Sequence, residues 1–330
     1  MVEPERTHTA GAGAPGTTAS TARSRPILIV GAPRSGTTLL ATMLNAHPDI
    51  FVANETKLLI DFLPDSVGSS AEAVSVRQLA EEGAARGLPL AGNGDSAGSA
   101  SRADPAAELR RLFVDAAESQ GKRRWGEKTA VAYRRLPTIV SHFPDACFIG
   151  LERDVVDVAA SYERINPTWG AAGGVLHWLE FRRAVARQGA GFRFLLIRYE
   201  DLVSSTEATL RRLCEFVGEP FHPDMLRHHE TERARALGRS PEFAGAASAV
   251  YTPASASSRT VVLPGWLISA ARRYAARLES AGRDVRPPAW YQLLEKYVRV
   301  RVVVREARRN GLRSTFRKIR NALRRGALSQ

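Results

Sequence analysis

The sequence predicts an α/β fold, in which a central and mainly parallel sheet is flanked by helices. Four short apolar runs, at residues 26–30, 50–53, 146–151 and 192–197, have the length and composition of buried strands. These runs alternate with helical patterns, of which the first spans residues 37–46. Strands that alternate with helices favour parallel pairing, with helices on both faces of the sheet.

Length and composition suggest how the chain is divided. The 330 residues are 44% hydrophobic, which is enough for a large core. Residues 1–24 are rich in small and polar residues and are predicted to be a disordered tail. One domain is expected over residues 25–290, with a variable insertion that contains a short helix at about 65–105. Residues 291–330 are predicted to form a basic helical extension.

Cysteine use and hydropathy give an expectation about the compartment. Cys147 and Cys214 stand in apolar contexts, as buried thiols do, and no disulfide framework is present. The first 24 residues lack the apolar segment of a secretory signal, and no apolar run reaches about 18 residues. We therefore expect a cytoplasmic protein, with peripheral association on the cytoplasmic face of a membrane as a further expectation.

The strongest motif follows the first predicted strand and opens the first helix. It reads Gly-Ala-Pro-Arg-Ser-Gly-Thr-Thr-Leu-Leu over residues 31–40. In that context, backbone N–H groups and the helix N-terminus can hold an anion. Gly31 and Gly36 permit close approach of the backbone, and Thr37 and Thr38 supply hydroxyl donors. Arg34 adds a fixed charge and a planar fork, so the motif indicates a P-loop-type nucleotide site.

One position separates this loop from that of ATP-dependent enzymes. The nucleotide-binding P-loop requires Gly-Lys-Ser/Thr at its end, and here Thr37 stands at the lysine position. A kinase needs that lysine and Mg²⁺ because the transferred phosphoryl group is heavily charged. A small-molecule kinase using ATP and Mg²⁺ therefore remains only as the alternative enzyme.

The loop resembles a known family. Pro-Arg-Ser-Gly-Thr-Thr-Leu is similar to the 5′-phosphosulfate loop of sulfotransferases that use 3′-phosphoadenylyl sulfate (PAPS). The similarity continues through Leu-Asn-Ala-His-Pro-Asp-Ile-Phe-Val-Ala-Asn-Glu-Thr and covers most of residues 26–220. It is strongest toward the branch of tyrosylprotein sulfotransferases and many bacterial enzymes, because the cytosolic branch usually has Lys at the position of Arg34. The resemblance implies transfer of a sulfuryl group from PAPS to an acceptor hydroxyl, without a metal. It implies a 5′-phosphosulfate site made of Arg34, Ser35, Gly36, Thr37 and Thr38.

A second motif follows the third predicted strand. Arg153 stands at the strand end, and Ser161 comes eight positions later on the next helix. The carboxyl ends of parallel strands share one edge, so Arg153 can reach a ligand that the first loop holds. The pair resembles the Arg and Ser with which the family binds the 3′-phosphate.

Candidate catalytic residues follow two other segments. Glu55 comes after the second predicted strand and matches the catalytic glutamate of the tyrosylprotein branch, where a base accepts the hydroxyl proton. Lys128, in Trp-Gly-Glu-Lys-Thr, could neutralise the bridging oxygen or the sulfuryl oxygens, as a comparable family lysine does. Glu127 could orient Lys128 through an ion pair or act as a base itself. Arg34 is assigned to catalysis as well as to binding.

Two further residues are candidates for contact with the nucleotide. Tyr199, in Arg-Tyr-Glu-Asp-Leu, belongs to a strand-end turn that resembles one in the family. Arg259 stands in a loop rich in Ser and Ala, at the place where the family often closes a basic loop over the nucleotide. The histidines show no spacing typical of metal ligands, so no metal site is expected.

The charge of the chain is concentrated near its end. The net charge is +13, and residues 291–330 contain twelve Lys or Arg against two Glu. An anionic partner is implied, and the segment has three interpretations: a solvated helix docked on the domain, a membrane-binding helix, or a site for an acidic polymer. Few aromatic residues argue against nucleic acid. A non-catalytic anion- or membrane-binding protein is the remaining alternative to an enzyme.

Overall fold

The computed structural model describes residues 25–67, 76–90, 104–188, 192–239, 263–282 and 285–310. Several predictions from the sequence lie outside those ranges: the tail at 1–24, much of the 65–105 insertion, Arg259, and the last twenty residues. No helix in the described ranges has the length and apolar composition needed to span a membrane.

Five strands among the described residues form one sheet, in which all four strand pairings are parallel. The order in the sheet is β2-β3-β1-β4-β5, so β1 lies at the centre. The strands are β1 (Ile27–Gly31), β2 (Ile50–Asn54), β3 (Arg124–Lys128), β4 (Cys147–Glu152) and β5 (Phe194–Arg198). The α/β fold with a parallel sheet is thus confirmed, and the four strands expected from apolar runs are present.

The helices connect the strands and cover the sheet. The first half of the chain contains α1 (Thr37–Asn45), α2 (Leu58–Asp61), α3 (Val76–Ala85), α4 (Pro105–Glu118) and α5 (Leu136–His142). The second half contains α6 (Val155–Ile165), α7 (Gly170–Gln188), α8 (Tyr199–Ser204), α9 (Thr206–Val217), α10 (Glu232–Gly238), α11 (Gly265–Ala281) and α12 (Ala289–Asn310). Two 3-10 segments, Ala130–Arg135 and Pro223–Glu230, complete the connections.

Alternation along β1 shows why the sheet has a core on each side. All five residues of β1 are buried, but Leu28 and Val30 belong to one apolar cluster, whereas Ile27 and Ile29 belong to another. Successive side chains of a strand point to opposite faces, so a central strand needs apolar residues throughout. Because the strands are parallel, the carboxyl ends of β1, β2, β3 and β4 lie at one edge of the sheet, and both faces of that sheet are covered.

Strand β3 was not expected from the sequence. Its five residues include Arg124, Glu127 and Lys128, so it lacks the apolar run that marks the other strands, yet all five are buried. The charges are tolerated because each has a partner: Arg124 donates to Glu219 at 3.1 Å, for example. This strand lies between β1 and β2 and carries two charged residues to the edge where the loops meet.

Helix α12 begins two residues before the predicted extension and packs on the domain. Tyr291, Leu294 and Val298 are buried in the same apolar cluster as α7. Arg301 donates to Glu163, in the last turn of α6, at 3.3 Å. The first part of the basic segment is therefore an ordered helix on the body of the protein.

Candidate active site

The loop after β1 adopts a conformation that only glycine allows at its key position. Gly36 has φ 97° and forms the N-cap of α1. A Cβ there would stand 2.4 Å from Cδ2 of Tyr199, so neither the backbone nor the space admits a side chain. Arg34 also has a left-handed backbone, with φ 77°. Two such residues turn the chain sharply, and the amide groups at the start of α1 are directed to the loop.

The loop after β4 lies beside this one. The Arg153 guanidinium stacks on the Tyr199 ring, with its carbon 4.3 Å from the ring centroid, and donates to Asp157 at 3.3 Å. Tyr199 in turn lies against Gly36. Arg153 is almost completely buried, and its Nε has no hydrogen-bond partner among the described atoms. The strand-end arginine therefore lies next to the loop after β1, which we call the phosphate loop (residues 31–38), as its position in the sequence predicted.

A direct hydrogen bond joins the two motifs. Nε of Arg34 donates to Oγ of Ser161 at 3.2 Å, across 127 residues of sequence. Ser161 lies two turns into α6 and is buried. The groups predicted to hold opposite ends of one nucleotide thus lie in a single cluster.

The carboxylate and the lysine predicted to be catalytic form an ion pair. Nζ of Lys128 lies 2.9 Å from Oε1 of Glu55 and donates to Oγ1 of Thr38 at 3.0 Å. The Lys128 side chain is fully buried, whereas that of Glu55 is 31% exposed. The backbone N–H of Ala130 donates to the same Glu55 oxygen at 3.4 Å. Lys128 therefore links the phosphate loop to a carboxylate that is open to solvent.

Comparison with known proteins identifies the family to which this chain belongs. The family model described as "Sulfotransferase family" matches residues 26–223, which contain β1 to β5 and the clustered residues Arg34, Gly36, Thr38, Glu55, Lys128, Arg153, Ser161 and Tyr199. The chain belongs to the sulfotransferase family. The prediction drawn from the two loop motifs is thereby confirmed at the level of the family.

The relatives of this sulfotransferase share its sequence over most of the same region. A Caenorhabditis briggsae protein, named provisionally as a protein-tyrosine sulfotransferase, is 27% identical over 225 residues, 66% of this chain and 74% of that protein. A Drosophila melanogaster protein-tyrosine sulfotransferase is 26% identical over 63% of this chain, which spans only 41% of that protein's length. The sulfotransferase domain of the Synechococcus PCC 7002 olefin synthase superposes with a TM-score of 0.57 at 22% identity, covering 80% of this chain and 97% of the domain. This likeness shows the shared fold.

The electrostatics of Lys128 reflect its burial among charged groups. Burial lowers the pKa of Lys128 below its ordinary value, while the charge and hydrogen bond of Glu55 act in the opposite direction. The positive charge of Arg34 lowers the pKa of Lys128 further, so the guanidinium of Arg34 lies close enough to repel the ammonium. Arg34, Lys128 and Glu55 thus make one charged group at the edge of the sheet in this sulfotransferase.

The hydrogen bonds of Glu127 are made to two threonines. Glu127 and Lys128 are neighbours on β3, so their side chains leave the strand in opposite directions. Oε1 of Glu127 accepts hydrogen bonds from Thr129 and, at 3.1 Å, from Thr56. Glu55 is the carboxylate that lies 2.9 Å from Lys128, and the charge of Glu127 acts on the pKa of Lys128 in the same direction as that of Glu55. The two hypotheses for Glu127 stay predictions.

Glu127 supports the turn that carries Glu55. Glu55 and Lys57 both have left-handed backbones, with φ 54° and 59°, and Thr56 lies between them. The Lys57 N–H donates to Thr129 Oγ1 at 3.2 Å, so Thr129 links this turn to Glu127. A backbone in that region is costly for residues other than glycine and must be held by its surroundings. Thr56, Thr129 and Glu127 provide those contacts.

We expect Glu127→Gln to change how the stability of the protein depends on pH. Burial raises the pKa of Glu127 from 4.5 to about 7. The stability that proton binding contributes is complete below pH 4.5 and is lost as the pH rises through 7. The free energy of unfolding of the wild type should therefore fall relative to the glutamine variant, by up to about 3 kcal/mol, between pH 4.5 and 8. Chemical unfolding at several pH values measures this. A constant difference across the range would show that Glu127 is ionised in the folded protein.

A buried polar network next to the site was missed by sequence reasoning. The Tyr133 hydroxyl lies 2.8 Å from Nδ1 of His177 and donates to Glu180 at 3.0 Å, and the Tyr162 hydroxyl lies 3.1 Å from Nε2 of His177. Burial and the nearby charge of Arg134 lower the pKa of His177 to about 3, so the ring is neutral. Nη2 of Arg134 also lies 3.5 Å from Nδ1 of His177 and donates to Glu180 at 2.7 Å, so it belongs to the same network. The network fixes the 130–135 segment, whose first amide contacts Glu55, against α6 and α7.

Other expectations remain predictions. Arg259, expected to contact the nucleotide, lies outside the described residues. Within the described ranges no three His, Cys, Asp or Glu side chains converge as metal ligands would. The structure brings together Arg34, Ser35, Gly36, Thr37, Thr38, Glu55, Lys128, Arg153, Ser161 and Tyr199, and their individual roles are proposals.

Proposed function

We propose that this sulfotransferase takes PAPS as its donor and transfers the sulfuryl group to an acceptor hydroxyl in a single in-line step. The observation that carries the proposal is the position of Lys128, whose ammonium touches both Thr38 of the phosphate loop and the Glu55 carboxylate. A group held by the loop and a hydroxyl near Glu55 would meet at this ammonium. Donor, acceptor and base are thereby brought within reach of one another.

Two buried polar atoms support a ligand with more than one phosphate. Oγ of Ser35 and Nε of Arg153 are buried, and neither has a hydrogen-bond partner in the described structure. A buried polar group left without a partner costs about 1–3 kcal/mol, so native proteins keep few of them. Ser35 belongs to the first loop, and Arg153 belongs to the second. Phosphate oxygens at both places would supply the acceptors these donors need, which fits the 5′- and 3′-phosphates of PAPS.

The proposed donor would replace one internal hydrogen bond. Arg34 and Ser161 now bond to each other, although they were assigned to the 5′-phosphosulfate and the 3′-phosphate respectively. Both groups can donate, so a phosphate oxygen between them would accept from each. Gly36, Thr37 and Thr38 would bind the 5′ end through the start of α1 and their hydroxyls. Arg153, which stacks on Tyr199, would then hold the 3′-phosphate.

The chemistry of transfer uses the ion pair. As the acceptor oxygen forms its bond to sulfur, the hydroxyl proton passes to a Glu55 carboxylate oxygen. The bond between sulfur and the bridging oxygen breaks, and its electron pair remains on the 5′-phosphate of adenosine 3′,5′-bisphosphate. Lys128 and Arg34 stabilise the negative charge that grows on that oxygen. Carbohydrate, lipid, tyrosine and small-molecule hydroxyls can all act as the acceptor in this chemistry. Two relatives carry the name protein-tyrosine sulfotransferase.

Titration calorimetry tests the choice of donor. We expect adenosine 3′,5′-bisphosphate to bind without Mg²⁺ and to bind more tightly than adenosine 5′-monophosphate or ATP with Mg²⁺. Arg153→Ala should weaken the bisphosphate about 10- to 100-fold and leave the monophosphate almost unchanged, because a charge-assisted hydrogen bond to one phosphate is removed.

A second arginine of the same region provides the control. Arg272 donates to Asp154 at 2.6 Å, beside Arg153, but its side chain is 54% exposed. Arg272→Ala should keep the preference for the bisphosphate. If Arg153→Ala binds both nucleotides as the wild type does, Arg153 does not hold the 3′-phosphate. Preference of the wild type for ATP with Mg²⁺ would refute PAPS as the donor.

A further inference from the structure

Helix α12 presents a stripe of large apolar residues to solvent. Leu293, Tyr297, Val300 and Val304 are between 40 and 64% exposed. Their spacings of four, three and four residues place them on one side of a helix. Single exposed apolar residues are common, but a continuous stripe on one helix marks a surface that binds something.

The stripe is distinct from the face by which α12 packs on the domain. Tyr291, Leu294 and Val298 form that buried face. On the same side, Arg301 donates to Glu163 at 3.3 Å and Arg305 donates to the carbonyl of Pro167 at 2.6 Å. These contacts fix the orientation of α12, so the stripe is held outward.

Cations border the stripe. At 100° per residue, Lys296 lies beside one edge of the stripe and Arg308 beside the other, and both are exposed. Glu295, two positions after Leu293, lies on the opposite side of the helix. The sequence of this part of the chain is strongly basic, since residues 291–330 contain twelve Lys or Arg and two Glu. Positive charge therefore flanks the apolar stripe, and at 100° per residue the second acidic position of the helix, Glu306, also falls on the opposite side from it.

We propose that α12 docks this sulfotransferase on an anionic lipid surface. An apolar stripe enters the boundary between headgroups and acyl chains, while flanking Lys and Arg bind the lipid phosphates and carboxylates. Charge argues against a second copy of the chain, because two such helices would bring like charges together. A nucleic acid or another polyanion would engage the cations but leave the apolar stripe in water.

Vesicle co-sedimentation of the full chain tests this surface. The wild type should bind vesicles of phosphatidylcholine with about 30% phosphatidylserine and should not bind pure phosphatidylcholine. The double variant Val300→Asp/Val304→Asp should reduce binding at least about tenfold, because two charges would have to enter the apolar boundary. Val67→Asp is the matched control, since Val67 is 63% exposed and Val300 is 62% exposed. This control should bind as the wild type does.

A second variant tests the electrostatic part without touching the stripe. Lys296→Gln/Arg308→Gln should weaken binding roughly fivefold for each cation removed. Val300, Val304, Lys296 and Arg308 are all exposed, so the thermal unfolding of both double variants should match that of the wild type. Equal binding to neutral and anionic vesicles, or undiminished binding by either variant, would overturn the proposal. A wild type that fails to sediment but forms dimers sensitive to Val300→Asp, or that binds heparin regardless of that change, would assign the surface to another partner and also overturn it.

Discussion

Glu55→Gln is expected to lower the rate of sulfuryl transfer by two to four orders of magnitude while nucleotide binding is preserved. Glutamine has the same shape and keeps an oxygen that can accept from Lys128 and from the Ala130 N–H, now 2.9 and 3.4 Å from Glu55. It cannot accept the hydroxyl proton as a carboxylate does. Single-turnover transfer to an accepted hydroxyl, together with calorimetric binding of adenosine 3′,5′-bisphosphate, separates the two effects.

A control carboxylate at the same edge of the sheet makes that test specific. Glu200 follows β5 and accepts from the backbone N–H of Asp154 at 2.9 Å, a bond that glutamine can retain. Glu200→Gln should therefore transfer at close to the wild-type rate. Unchanged turnover in Glu55→Gln would remove Glu55 from the mechanism. Loss of both transfer and nucleotide binding would mean that Glu55 acts by holding Lys128 in place.

The sequence predicted the parts of the site that depend on local patterns. An apolar run ending at Gly31 and a helix starting at Thr37 define the first loop, and the structure places these boundaries within one residue of the predicted ones. Arg153 was placed at the ligand edge by the rule that parallel strands end on the same side. In each case the information lies within about ten residues.

The parts that the sequence did not predict depend on partners distant in the chain. Strand β3 was missed because its charges read as a polar segment, and Lys128 meets Glu55 across 73 residues. The link between Glu127 and Thr56 spans 71 residues, and that between His177 and Tyr133 spans 44. No periodicity records such pairs, because a buried charged or polar residue is tolerated only once the fold has supplied its partner.

Lys128→Met is expected to lower transfer by about 100- to 1,000-fold without destabilising the fold. The ammonium has no exposed surface, so the desolvation of its charge opposes folding, and burial correspondingly lowers the pKa of this group. Methionine fills a similar volume without a charge. Removing one partner of a buried ion pair is costly when the other is left buried, but Glu55 is 31% exposed and can bind water. The free energy of unfolding should therefore stay within about 1 kcal/mol of the wild type.

Lys122→Met is the contrasting variant. Lys122 lies before β3, at the end of the sheet away from the site, and donates to the backbone carbonyls of Asn45, His47 and Ile50. Methionine there would remove the ammonium that all three partly buried carbonyls share, so stability should fall by about 2 kcal/mol while turnover per folded molecule persists. Urea unfolding and transfer rates measured on both variants distinguish the two roles. If Lys128→Met loses stability but retains turnover, Lys128 is a structural lysine, and the charge that assists the leaving oxygen must come from Arg34.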